Sequence, residues 1–408
     1  MSGGAGSADR VGRDDMPAPR DPLPRAARLS AAQRRDQLAH VAARRFHELG
    51  YHRVSLGDVA AEAGVTGPAV YRHFRNKEAL LAAAIVSGLD LVQAAVDEAS
   101  PGPLEDLVTA VAEVGLARPD MWVLLQRESR FLAPESRAEI QARFAEVIDG
   151  FSRRLRRQRP EIRPEDARLL VTAATAVLSL PSTTHTSLTP EEYRHELTSA
   201  ALACLRTNVA SAGAPPAAPD TAARAPEPTS RREQIVDTAV ELFFARGYTG
   251  VSLDDIGAAV GIAGPSILHH FATKADILVT AFDRASQRLA ADQAARRTSG
   301  RAPDLVSLVA AYIRFSLENR SLLGVYVSEL MHLPPDALAR TQDTLRTEVR
   351  DWTRALVATS FELEEPAARA HVRAALTVIN DLVRLGHFAK RPRIETEILA
   401  LALATLRG

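Results

Sequence analysis

The chain has 408 residues, 46% apolar and 25% charged, with 50 basic and 50 acidic side chains and so no net charge. That length points to more than one core, and the composition excludes a chain that is disordered throughout. One cysteine excludes an internal disulfide framework and a cysteine-based zinc site. No run of about 18 apolar residues offers a membrane span, and the Arg-, Asp- and Pro-rich start lacks a secretory h-region, so a cytoplasmic location is expected.

Aromatic residues are only 5% of the chain, Ala and Leu are abundant, and alternating β-branched runs are few, so an all-α fold is expected. Residues 1–29 have the composition of a disordered tail. From Ser30 to Leu49, the side chains of Leu38, Val41, Ala42, Phe46 and Leu49 fall on one helical stripe, and Gly50 supplies a left-handed C-cap. Ser55 with Asp58 forms a capping-box pattern that opens a short helix from Leu56 to Ala63, ended by Gly64. Thr66 is placed to cap a third helix, with Pro68 in its first turn, where the missing N–H costs nothing. That helix carries Val70, Tyr71, His73 and Phe74. Three helices with a tight glycine turn before the last make a helix-turn-helix at about 55–74.

The domain is expected to span 30–92, followed by a helical unit at 93–207 whose last two helices fall at about 165–180 and 190–207. Residues 208–230, with the run "APPAAPD", read as a Pro/Ala linker of about 70 Å maximal reach. A second helix-turn-helix domain follows at 231–289, with its motif at about 252–271, and then a second helical unit at 290–408, with last helices at about 366–386 and 394–407.

The second half is a copy of the first. The segment from Arg34 to Leu81 aligns without a gap to that from Arg231 to Leu278, at an offset of about 197 and with about 19 of 48 positions identical. Beyond it, Leu104, Glu128, Pro134, Phe151, Ala173, Ala174 and Val177 match Leu305, Glu329, Pro335, Trp352, Ala374, Ala375 and Val378 at an offset of about 201. The inserted residues fall near "RRTSGRAP", a loop by composition.

DNA chemistry concentrates in the first copy. The N-terminus of its third helix presents free N–H groups and a positive dipole end to phosphate. Tyr71 and Lys77 are donors able to clamp a backbone, and Arg72, His73 and Arg75 add charge or polarity. From Arg34 to Leu81 there are eight basic and five acidic side chains, net +3. Arg44, Arg45 and Arg53 read as a solvated helix face, and Tyr71 as either a DNA contact or a packed aromatic. From Arg231 to Leu278 the balance is four basic to six acidic, net −2, which weakens phosphate attraction. Leu268 stands at the Tyr71 position, and His269 and His270 compensate only when protonated.

The run "SLGDVAAEAGVTGPAVYRHFRNKEALL" resembles the DNA-binding signature of TetR-type transcriptional regulators, specifically over 34–84 and well over 231–281. The resemblance implies that Thr66, Gly67, Pro68, Tyr71, His73 and Lys77 touch DNA or shape the recognition helix, and Ser55 and Arg72 are expected DNA-binding residues beside them. The second copy places Ser252, Gly264, Pro265, His269, His270 and Lys274 in the corresponding stretch. Where that family has one unit of about two hundred residues, this chain resembles a tandem fusion of two. The implied partners are a double-stranded DNA operator and a small-molecule effector, the implied role a ligand-responsive repressor.

No residue nominates the effector: Trp122, Arg127, Arg130, Phe131 and Phe151, or Tyr312, Phe315, Tyr326 and Trp352, suit a core as well as a pocket. His185, His195, His332, His371 and His387 lack metal-ligand spacing, no cofactor is expected, and no catalytic motif supports an enzyme. Cys204 reads as a buried apolar side chain. The small residues Ala173, Ala174, Ala176, Ala200, Ala201 and Ala203 fit an interface between paired units or an internal core. Tethering favours an intramolecular pseudo-dimer, with a homodimer of four readers as the alternative. A different class, a helical ligand-sequestering or protein-interaction module with degenerate readers, fits the same composition.

Overall fold

A computed structural model describes residues 29–99, 102–182, 186–211, 230–298, 304–360 and 363–408. The expected disordered tail up to residue 28, linker residues 212–229, the loop residues 299–303 and His185 lie outside the described residues. Among the described residues every regular element is helical.

The first half contains α1 (Ala31–Leu49), α2 (Leu56–Glu62), α3 (Gly67–Tyr71), α4 (Lys77–Glu98), α5 (Leu104–Ala117), α6 (Asp120–Gln126), α7 (Pro134–Gln158), α8 (Pro164–Leu178) and α9 (Pro190–Arg206). The second half repeats the series as α10 (Arg231–Arg246), α11 (Leu253–Val260), α12 (Gly264–Ile267), α13 (Lys274–Thr298), α14 (Leu305–Glu318), α15 (Arg320–Glu329), α16 (Pro335–Thr359), α17 (Glu365–Arg384) and α18 (Ile394–Arg407). Capping boxes set several starts: Ser30 with Gln33, Ser55 with Asp58, Thr189 with Glu192, Ser230 with Glu233 and Ser252 with Asp255.

Gly50 and Gly247 end α1 and α10 at φ +81° and +76° with ψ near 150°. The positive φ that favours glycine is there, but the extended ψ departs from the expected left-handed cap and leads the chain straight out of the helix. The expected divisions at 92 and 289 fall inside α4 and α13, which run unbroken from the helix-turn-helix into the helical unit. The helix α4 is also long and apolar enough to cross a membrane, contrary to the expectation from run length. Its Leu80, Leu81, Ala84, Ile85, Leu89 and Val92 are buried in the protein core, which accounts for that apolarity without a bilayer.

Three cores result. The first helix-turn-helix closes around Leu38, Phe46, Val59, Val70, Phe74 and Leu81, completed by Leu124, Leu132 and Ile140 from the helices behind it. The second closes around Ile235, Phe243, Ile256, Ile267, Phe271 and Leu278, completed by Leu322, Val325 and Leu333. The third core is common to both helical units and runs from Leu107 and Leu170 to Trp352, Ile379 and Leu401. It forms where α8 and α9 pack on α17 and α18. The small residues Ala173, Ala174, Ala200 and Ala201 are buried there with Ala374, Ala375 and Ala402, so the stripe left open between interface and core serves as both.

Candidate nucleic-acid interface

In the first reader, the Ser55 N–H and hydroxyl both donate to the Asp58 carboxylate at 2.7 Å, and the Asp58 N–H donates back to Ser55 Oγ at 3.1 Å. Those bonds hold the Asp58 carboxyl below the usual carboxylate range, the backbone one most strongly. Gly64, at φ +67°, turns the chain, and the Val65 N–H donates to the Ala60 carbonyl. Thr66 occupies the N-cap position of α3, but its hydroxyl makes no capping bond, contrary to expectation; its carbonyl accepts from the Ala69 N–H. With five residues, α3 is too short for a macrodipole of the size expected from sequence. Its start is also poor in free donors, because Pro68 has no N–H and the Ala69 N–H is bonded to Thr66.

Val70 and Phe74 anchor α3 in the core, which leaves Thr66, Pro68, Tyr71 and Arg72 exposed, with Gly67 and His73 half-buried. Tyr71 is 61% exposed, so the packed-aromatic alternative falls away. Lys77 departs from the expected phosphate clamp. Its Nζ lies 4.2 Å from the Tyr51 ring centroid and donates to the His52 carbonyl at 3.4 Å, and burial pushes its pKa down. Arg44 and Arg45, expected on a solvated face, both pair with Glu62 and tie α1 to α2. One functional positioning residue escaped the sequence reading: Arg35 donates to the His73 carbonyl at 2.8 Å and stacks on Phe74 at 4.5 Å, fixing the end of the recognition segment. Its repeat, Arg232, does the same for His270 and Phe271. The paired arginines at the start of both copies were the available signal.

The second reader keeps the frame with a different surface. Ser252 and Asp255 repeat the capping box, and Gly261 turns at φ +74°. Pro265, His269 and Leu268 are exposed, Leu268 by 53%, and His270 is half-buried. Lys274 donates to the Tyr248 and Val251 carbonyls at 2.7 Å each and covers the Tyr248 ring, so two of its three donors are committed inside the fold. Gly264 stands so close to Asp254 that a Cβ would collide with the carboxylate, whereas Gly67 has open space around its Cβ position. Asp254 replaces the glycine that stands at Gly57 in the first copy. It therefore puts an acidic group beside the start of the second recognition segment.

The readers are braced from behind by the opposite unit. Arg130 pairs with the buried Glu329, Arg127 Nη2 lies 3.1 Å from Met331 Sδ, and Gln126 donates to Asp381 at 3.3 Å. Gly247 abuts Glu329 and Arg130, and Gly50 abuts Met331. Phe131 stacks on Tyr51 at 5.1 Å in one half, and His332 on Tyr248 at 4.9 Å in the other.

The helical units differ inside. In the second, an apolar cavity opens between α13, α14, α15 and α16, lined by Phe282, Leu289, Tyr312, Phe315, Leu322 and Tyr326, with Ser286, Asn319 and Thr341 as polar points. In the first, Met121 lies against Gly88, where a Cβ would collide with it, and Trp122 meets Phe144 edge-on at 6.1 Å. Those side chains fill the equivalent space. Trp352 is fully buried, edge-on to Tyr312 at 5.7 Å, and Phe151 is core. Cys204 is buried, its thiol pushed up to about 12. Among the described residues no group of three or more His, Cys, Asp or Glu is placed to hold a metal ion.

Two three-helix domains, each exposing a short recognition segment and joined through one helical core, have the architecture of a paired DNA-binding protein. Residues 38–84 and 235–281 both match the family of bacterial regulatory proteins of the tetR family. Each reader thus matches that family over its helix-turn-helix segment, and the two matched segments stand in tandem in the chain. Among curated relatives, the biofilm operon icaADBC HTH-type negative transcriptional regulator IcaR of Staphylococcus aureus is 41% identical over 46 residues, covering 11% of this chain and 25% of that protein. The HTH-type transcriptional repressor KstR2 of Rhodococcus jostii is 28% identical over 145 residues, 34% of this chain and 66% of that one. The chain therefore spans about a quarter of the first relative's length. Solved structures that match in part include the ketosteroid transcriptional regulator KstR2 of Mycobacterium tuberculosis, at 20% identity and TM-score 0.38, covering 45% of this chain and 97% of that one. Another is a TetR-family regulator from Bordetella parapertussis, at 19% identity and TM-score 0.38, covering 44% and 94%.

Proposed function

We propose that the chain is a sequence-specific DNA-binding transcriptional regulator, a ligand-responsive repressor that works as a single-chain pair of readers. The observation that carries this reading is the exposure of Tyr71, with Thr66, Pro68 and Arg72, on a segment anchored from beneath by Val70, Phe74 and Arg35. Polar and aromatic side chains held outward on a short helix of little more than one turn suit contact with phosphates and base edges. The names of the relatives, a negative regulator and a repressor, support the sign of regulation. Ser55 and Lys77 act in this reading by shaping the reader, and Thr66, Gly67, Pro68, Tyr71, Arg72 and His73 by approaching DNA. In the second reader, Ser252, Gly264 and Lys274 shape the frame, and Pro265, His269 and His270 approach DNA more weakly.

The effector enters the second helical unit, where Tyr312, Phe315 and Tyr326 surround the apolar cavity. The cavity as it stands holds about 50 Å³, so a mostly apolar molecule with one or two hydrogen-bonding groups enters only as Phe282, Phe315 and Tyr326 move apart. It acts by binding one arrangement of the readers better than the other. Gel shift with the DNA upstream of the protein's own gene, across a salt series, tests the reading: salt-dependent, competitor-resistant binding is expected. Absence of binding at any salt would favour a helical ligand-sequestering module, for which the acidic Asp254 beside the second recognition segment is the supporting observation.

A further inference from the structure

We infer that the face where α8 and α9 meet the second unit carries a pairing code, with the acids Asp166 and Glu196 on the first unit and the bases Arg391 and His371 on the second, which admits first-with-second pairing and rejects like-with-like. The inference rests on the single-chain pairing proposed above and adds what enforces it. Cys204 Sγ lies 3.1 Å from Thr405 Oγ1, and the two residues are equivalent positions of the repeat, at the offset of about 201 seen in the sequence. Equivalent residues touch only where the axis relating the copies passes between them. A symmetric core such as this one would accept two first units, or two second units, nearly as well as one of each.

Two ion pairs on this face break that symmetry, while Arg130 and Glu329 behind the readers pair in the opposite sense. Arg391, on the second unit, reaches Asp166 of the first at 2.5 Å and also holds Glu397 at 2.6 Å. His371, buried in α17, has Nδ1 2.8 Å from the Thr405 carbonyl and Nε2 2.6 Å from the Glu196 carboxylate of α9. The carbonyl only accepts, so Nδ1 carries a hydrogen. The hydrogen bond with His371 holds the Glu196 carboxyl below its ordinary range. Beside Glu196 stand Glu192 and His195 on α9, and Arg373 on α17 faces Tyr193 of α9.

The same offset shows what like pairing would bring. With two first units in this geometry, Glu196 meets Leu170 instead of His371, and Asp166 meets Pro190 instead of Arg391. Two carboxylates then lose their cross-unit partners in a largely buried face. With two second units, Arg391 meets Ala367, and His371 meets Glu397, already held by Arg391. Arg130 keeps an acid in a first-with-first pair, where Glu128 stands in for Glu329, so the discrimination rests on Asp166 and Glu196.

The lone cysteine on the axis makes a direct test in the full chain. Thr405→Cys, mildly oxidised with diamide, is expected to close a disulfide within one chain and run at the chain's own 44.0 kDa. A product linking two chains, or none, would overturn the single-chain pairing itself. The code is read separately, with Thr405 intact. Wild-type Cys204 is expected to give almost no linked dimer of about 88 kDa, because two Cys204 side chains meet only in a like pair. Asp166→Ala with Glu196→Leu is expected to raise that dimer roughly tenfold at micromolar concentration. Asp166→Asn with Glu196→Gln serves if the first variant fails to fold. An unchanged dimer fraction in a folded variant would sink the code while leaving the pairing in place.

Discussion

The two readers share a scaffold and differ in what they present. Arg35 and Arg232 pin the recognition segments in the same way, and both lysines rest on a tyrosine ring. Yet one copy exposes a tyrosine beside a permissive glycine, and the other a leucine beside an aspartate. Packing positions and contact positions have therefore separated: the repeat holds where side chains point inward and drifts where they point outward. The helical units repeat the lesson in reverse, since there the interior has drifted, closed by Met121 and Trp122 in one and open in the other.

Four experiments break or sharpen this contrast. The largest effect is expected from Met121→Ala, which opens in the first unit a space like that of the second; chemical denaturation should show a loss of about 2–5 kcal/mol. A loss under 1 kcal/mol would mean the first unit is already loosely packed. Next, Tyr71→Ala is expected to weaken operator binding by about 1–3 kcal/mol, roughly 5- to 150-fold in fluorescence anisotropy, with little change for Leu268→Ala. Equal losses would show that both readers contribute alike. Smaller again, Asp254→Gly removes an acid from the second recognition segment. Affinity should rise a few-fold at low salt, and the gain should fade as salt increases. A gain insensitive to salt would point to loop geometry instead of charge.

The smallest effect concerns Glu128 and its repeat Glu329, which is paired with Arg130. Burial pushes the Glu128 carboxyl above its ordinary value, so the folded state binds that proton more tightly than the unfolded chain. Stability from this group is thus lost as pH rises from the ordinary carboxylate range through the raised folded value. Glu128→Gln should raise the melting temperature modestly at pH 8 and not at pH 4. A gain equal at both pH values would exclude titration as the cause.

Much of this was legible in the sequence. Capping boxes, turn glycines and the gapless repeat located both helix-turn-helix segments, and the last helices of each unit fall within about two residues of their expected ends. Pattern could not reveal where polar side chains lie in three dimensions. Lys77 has the position of a phosphate clamp, but the Tyr51 ring and the His52 carbonyl draw its ammonium inward. The Glu62 bridge to Arg44 and Arg45, the Arg130–Glu329 pair and the His371–Glu196 pair join residues from 17 to 199 positions apart, beyond the reach of helical periodicity. The cavity was illegible for a related reason, since whether Tyr312 fills space or borders it depends on neighbours from three other helices.

The common core has a consequence during synthesis. When α9 leaves the ribosome, the face it forms with α8 has no partner until α17 and α18 emerge, some 200 residues later. At roughly 5–20 residues per second, that apolar surface waits on the order of ten to forty seconds. A nascent chain in that interval is a half-built object with its stickiest side outward. Ribosomes following one another along the same message carry several such objects close together. The acids Asp166 and Glu196 lie on that waiting side, and under the inferred pairing code they would discourage neighbouring nascent chains from joining before their own second halves arrive.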